Sequence, residues 1–109
     1  MKCTARIEAG VCGFCTEVTA DSPDNQLVAL SIKTDCEKIG RVAEALQSAE
    51  IDAYDEIGAG FDGVIMSAVR QHLTGCCAGC AVPAGLFKAV QVAARVALPR
   101  EVRIALTSE

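Results

Sequence analysis

Tryptophan is absent from this 109-residue chain, and one tyrosine and three phenylalanines are its only aromatics. That leaves few side chains on which nucleobases could stack. Basic residues number 10 against 14 acidic ones, a net charge of −4, and no run of Lys or Arg occurs anywhere. A nucleic-acid binder normally carries a basic patch, so nucleic acid is not an expected partner. There is a single histidine, His72, and no Ser-His-Asp arrangement, which leaves hydrolytic catalysis without support. An enzyme is therefore not the expected class. No apolar run of the roughly 18 residues that span a bilayer stands out. The opening MKCTARIEAG also lacks the apolar core of a secretory signal. The expectation is a cytoplasmic protein with no membrane partner.

No repeat, linker or low-complexity segment divides the sequence, so residues 1–109 read as one domain. At this length a chain buries roughly 60–70% of its unfolded surface, enough for a core of its own. What the chain has in excess is cysteine: seven residues, at positions 3, 12, 15, 36, 76, 77 and 80. An odd count, no export signal and ample apolar material argue against a disulfide scaffold. Such a set points to metal, cluster or thiol chemistry, with burial as a small hydrophobe the simpler reading for Cys3.

Periodicity places these thiols. Residues 2–9 alternate, with Cys3, Ala5, Ile7 and Ala9 on one face. Residues 14–21 repeat the pattern through Phe14, Thr16, Val18 and Ala20. Asp21-Ser22-Pro23-Asp24-Asn25 is turn chemistry, and 27–33 returns as a hairpin with Val28, Leu30 and Ile32 inward. Thr34-Asp35-Cys36-Glu37 has the spacing of a capping box. The helix after it carries Ile39, Val42, Ala43 and Leu46 on one face. Residues 51–61 have no clear period, and Tyr54 with the acidic Asp52, Asp55 and Glu56 read as a solvated face. A second helix fits 62–73, with Ile65, Val69 and Leu73 inward. A third follows the small-residue loop 75–85, Pro83 suiting its first turn and Leu86, Val90, Ala93 and Ala97 facing the core. Beyond Pro99, the alternation of Val102, Ile104 and Leu106 predicts a last strand. The order β-β-β-α-α-α-β implies an α+β domain: an antiparallel sheet of about four strands with helices packed on one face.

On this scheme the cysteines sit at element ends. Cys12 and Cys15 lie at the tip of the first hairpin, Cys36 in the first turn of a helix, and Cys76, Cys77 and Cys80 just before the last helix. Three thiolates from three such ends can converge, and the expected ligands are Cys12, Cys36 and Cys80. Helix N-termini offer free amides and a positive dipole end to Cys36 and Cys80. Cys15, His72, Cys76 and Cys77 are further candidates for the same centre. Thiolate ligands suit zinc or an iron–sulfur cluster, and sequence does not choose between them. Cys12-x-x-Cys15 and Cys77-x-x-Cys80 have zinc-ribbon spacing, but 61 residues separate the pairs, against the usual 15–20. The alternatives are a thiol-disulfide redox protein using one Cys-x-x-Cys pair, and an interaction domain with buried structural cysteines. For CGFC at 12–15 a thioredoxin-like role is disfavoured, because a strand rather than a helix follows it.

The order of elements and thiols resembles the NifU N-terminal/IscU-type iron–sulfur cluster scaffold family. The residues that carry the resemblance are Cys12-Gly13, Cys36 after LVALSIKTD, and Cys80 before AVPAGLFKAVQVAA, across roughly residues 5–97. It implies an open-edged site where three thiolates hold a labile cluster, or zinc, and partners such as a cysteine desulfurase or an acceptor protein. The chain differs from that pattern at Phe14, where the family has Asp, and at Gly79, where it has His. CGF, then DC, then Cys80-x-Val82-Pro83, is also similar to a group of small uncharacterised prokaryotic proteins, which carry over no activity.

Overall fold

The computed structural model describes residues 1–109. Alternation builds the first three strands as expected: β1 (Lys2–Glu8), β2 (Cys15–Asp21) and β3 (Leu27–Thr34). They pair antiparallel, with Ile7 opposite Thr16 and Thr16 opposite Thr34. Thr16, Val18 and Ala20 of β2 are buried, while Glu17 and the outward residues of β1 are exposed. The sheet thus has one core face and one wet face, as antiparallel sheets permit. Between β2 and β3, Asp24 Oδ1 accepts from the amides of Gln26 and Leu27 at 3.0 and 2.8 Å. Asn25 takes the left-handed conformation there, at φ 64°, which Asn tolerates better than most residues.

Helix α1 (Glu37–Gln47) buries Ile39, Val42 and Leu46, a 3.6-residue stripe, against β3. The segment without a clear period resolves into a two-residue strand β4 (Ile51–Asp52) and a short helix α2 (Ala53–Ala59). β4 pairs with β3 and completes a four-stranded sheet in the order β1-β2-β3-β4. A 3-10 turn (Gly60–Asp62) leads to α3 (Val64–His72), and a second (Gly75–Gly79) leads to α4 (Val82–Ala93). Ile65 and Leu73 are buried as expected. The α+β class, with its antiparallel sheet and its helices on one face, is as the sequence indicates. The fourth strand, however, is β4. Residues 97–109 carry no regular structure, and Val102, Ile104 and Leu106 are exposed. Alternation records which face a strand would bury, and these residues have no partner strand in this chain.

Helix α4 lies across β1 and β2 and buries Val82, Leu86, Ala89, Val90, Val92 and Ala93. By length and composition alone Gly75–Ala93 meets the minimum for a membrane span, which the sequence expectation did not allow for. The segment breaks, however, at Cys80–Ala81 into a 3-10 turn and the shorter α4. Small apolar residues, not a run of Leu or Ile, make up that length. Each large apolar side chain buried on the sheet stabilises the fold by about 1.5–3 kcal/mol, which accounts for this helix as a core element. The close approach has a local requirement. A Cβ on Gly85 would overlap the end of the Ile7 side chain, so glycine lets the α4 backbone settle against β1.

The acidic run is not simply a solvated face. Asp52 caps α2, accepting from the amides of Tyr54 and Asp55 at 3.0 and 3.1 Å. Glu56 is buried, with 3% of its surface exposed. Its carboxylate accepts from the amides of Val64 and Ile65 at 2.9 and 2.7 Å, supplying α3 with the cap that its own cap residue, Gly63, lacks. A Cβ at Gly63 would collide with that carboxylate.

Candidate metal centre

The ends of the elements, not their middles, carry the thiols. The hairpin 9–14 joins β1 to β2 at the sheet end where Glu8 faces Cys15. Because Thr16 pairs with Thr34, β3 finishes at that same end, and Asp35-Cys36 leads directly into α1. Gly85 lies against Ile7, opposite Thr16, so the first turn of α4 also stands there. Lys38, in the first turn of α1, donates to the Thr74 carbonyl and to Cys77 Sγ, each at 3.5 Å, and ties in the segment before α4. The segments that carry six of the seven cysteines, all but Cys3, therefore lie toward one end of the sheet. Cys3 pairs with Ala20 toward the opposite end, and burial raises its thiol pKa above the usual 9.0.

The local chemistry of each thiol differs. Cys36 is the cap residue of α1, two positions later than a capping box on Thr34 would require. Thr34 Oγ1 instead accepts from the Cys36 amide at 3.1 Å and lies 2.8 Å from Thr16 Oγ1. Glu37 turns outward to Arg41, at 3.1 Å, rather than back to the cap. The Cys36 side chain makes no capping hydrogen bond and packs on the rim of the core. Cys80 lies just ahead of α4, whose cap, Ala81, has no side-chain acceptor. Its Sγ accepts from the Val82 amide at 3.5 Å, so sulfur partly fills the role that a Ser or Asp oxygen would take.

Cys36, Cys77 and Cys80 are half-buried and all pack against the main core, whereas Cys12 and Cys76 are exposed. Cys15 takes the other direction. It shares a shallow depression on the outer face of the sheet with Arg6, Glu17, Lys33, Thr34 and Asp35. The strand alternation that buries Thr16 turns Cys15 outward, and the Cys12/Cys15 pair is split between loop tip and outer face. No helix follows it. His72 closes α3, half-buried, three residues before the 3-10 turn that carries Cys76 and Cys77.

The seven thiols form no disulfide, and no three His, Cys, Asp or Glu side chains come close enough to share a metal ion in this conformation. The fold gathers the element ends but leaves the thiols of Cys12, Cys36 and Cys80 apart. Cys77 was named from sequence only as a subsidiary candidate, yet it has the most specific contact of the set. The signal for it, a lysine two residues into α1, becomes visible only once α1 and the segment before α4 are side by side.

A helix-covered antiparallel sheet with thiols gathered at one end defines a cysteine-rich α+β domain. The chain belongs to DUF6951, a family of unknown function whose model matches residues 3–106. No curated protein and no solved structure matches it.

Proposed function

We propose that this protein binds a soft metal centre, zinc or an iron–sulfur cluster, at the thiol-bearing end of its sheet. Cys36 and Cys80 are the fixed ligands in this reading, Cys12 is supplied by the hairpin loop, and Cys77 is the preferred fourth thiol. Cys76 and His72 are the remaining candidates, and Cys15 is the least suited because it faces the outer side of the sheet. One observation carries the reading: register and helix packing bring the hairpin, the first turn of α1 and the lead-in to α4 to one sheet end. Thiolates are soft donors that favour zinc, Cu(I) and iron–sulfur clusters over hard cations. The Lys38 ammonium lies 3.5 Å from Cys77 Sγ and ties that thiol to the first turn of α1, beside Cys36. Binding requires the 9–14 and 75–80 segments to close toward Cys36, since no three donors share a point before then.

The reading makes the protein a carrier rather than an enzyme, working in a reducing compartment such as the cytoplasm. If the cargo is a cluster, the resemblance to NifU/IscU-type scaffolds suggests a cysteine desulfurase as donor and an acceptor protein as recipient.

The test is anaerobic purification followed by measurement of zinc, iron and acid-labile sulfide per chain, with Cys12→Ser, Cys36→Ser and Cys80→Ser alongside. Near-stoichiometric metal in the parent protein and its loss in all three variants is expected. Protein that stays metal-free after reconstitution with zinc, and with iron and sulfide, contradicts the proposal and favours thiol-disulfide exchange.

A further inference from the structure

The sheet ends on one side at β1, whose outer edge pairs with nothing. Seven residues long, this edge carries no proline or bulge that would discourage another strand from pairing with it. It is also held firmly. The Met1 nitrogen donates to the Ser22 carbonyl at 2.6 Å, and the Ser22 amide returns a bond to the Met1 carbonyl at 3.1 Å. On the core side, Cys3, Ala5 and Ile7 remain half-exposed, because no neighbour covers their outer flank.

The same chain carries a strand-patterned segment with no partner. Helix α4 ends in a Schellman motif: the Val96 amide bonds the Gln91 carbonyl at 3.0 Å and the Arg95 amide the Val92 carbonyl at 3.0 Å. Arg95 sits at φ 64°, and Pro99 then prevents the helix from resuming. Beyond it, Val102, Ile104 and Leu106 are 57%, 74% and 91% exposed, and no backbone hydrogen bond joins this segment to the rest of the chain. Three branched apolar side chains on alternate positions form the buried face of a strand that this chain does not pair.

We infer that residues 102–109 add as a fifth strand to the free β1 edge of a second copy, giving a homodimer by reciprocal strand exchange. Antiparallel pairing with Ile104 opposite Ile7 places Leu106 opposite Ala5 and sets the three apolar tail residues on the core side of the sheet. The same register puts Arg103 opposite Glu8 and Glu109 opposite Lys2, so charges on the wet face pair with opposite sign. Slipping it by one residue would turn the apolar set to solvent and lose both pairs. Exchange between two identical chains closes on itself and satisfies both edges and both tails.

The test uses the full chain with reductant and chelator present, so that neither disulfide nor metal can join two copies. Sedimentation equilibrium reports mass, and hydrogen exchange is followed in residues 2–8 and 101–109. A dimer whose tail and β1 amides are both protected is expected. Ile104→Asp should weaken it by about 30-fold or more, while the helical circular dichroism of the body is retained. Ala105→Pro, which removes a backbone donor that this register aims at Arg6 on the free edge of β1, should act in the same direction. A monomer throughout overturns the inference, and so does a monomer with protected tail amides, which would put the strand on its own edge. A dimer with freely exchanging tail amides overturns it too.

Discussion

Lys38 Nζ lies 3.5 Å from Cys77 Sγ, joining the first turn of α1 to the segment that precedes α4. With the Gly85–Ile7 contact, it fixes two helix N-termini over the same end of the sheet. Two helix N-termini therefore stand over the sheet end whose loops carry Cys12, Cys36, Cys77 and Cys80, and the metal-binding proposal rests on that juxtaposition.

The thiols should differ in reactivity in a fixed order. Alkylation of the reduced, metal-free protein, followed residue by residue by mass spectrometry, should modify Cys12 and Cys76 first, because both are exposed. Cys3 should react last at pH 8, its thiol pKa raised by burial. Equal rates at Cys3 and Cys12 would contradict the placement of these residues.

Glu56 is the second site to probe. Glu56→Ala leaves two amides at the start of α3 without their acceptor, one of them buried. A loss of about 2–3 kcal/mol is expected from urea unfolding. Glu56→Gln retains one carbonyl acceptor and should cost less, about 1 kcal/mol. An unchanged midpoint in Glu56→Ala would mean that Glu56 does not cap α3.

Arg95→Gly should stabilise the fold. Arg95 holds a left-handed conformation at φ 64° that costs a side-chain-bearing residue about 1–2 kcal/mol. Glycine removes that cost but adds entropy to the unfolded chain. The net expectation is a gain of about 0.5–1 kcal/mol, or roughly 3–6 °C in melting temperature.

Acid should destabilise the protein in part through Asp24 and Asp52. The amides of Gln26 and Leu27 hold the Asp24 carboxyl below its usual 3.8. The Gln26 side-chain amide and the Asp55 and Tyr54 amides do the same for Asp52. A lowered folded pKa contributes stability that is present above the unfolded value and is lost as pH falls through the folded one. The double variant Asp24→Asn, Asp52→Asn should therefore show a flatter fall in stability below pH 3.8 than the parent protein. An equal slope would assign the acid sensitivity to other groups.

Much of the fold is legible in the sequence because period decides it. Ile39, Val42 and Leu46 announce α1, and the alternation from Cys3 to Ile7 announces β1. Residues 51–61 are not legible, since a two-residue strand has no period to read and the short helix after it contains Gly58 and ends at Gly60. Glu56 reads as polar until the fold gives its carboxylate two amides in the interior. The alternation at Val102, Ile104 and Leu106 predicts a strand that does not form in this chain, because a period of two marks a face to bury and names no partner strand. For the candidate site, the placement of thiols at element ends follows from sequence. Their separations do not, because these depend on loops whose small residues allow many paths.

Metal protection of individual thiols tests the central claim most directly. The reduced protein would be alkylated anaerobically with and without one equivalent of zinc, and separately after cluster reconstitution, with each cysteine quantified by mass spectrometry. The account predicts joint protection of Cys12, Cys36 and Cys80 together with Cys77, while Cys15 reacts at its metal-free rate. Unchanged rates at Cys36 and Cys80 under both conditions would contradict it.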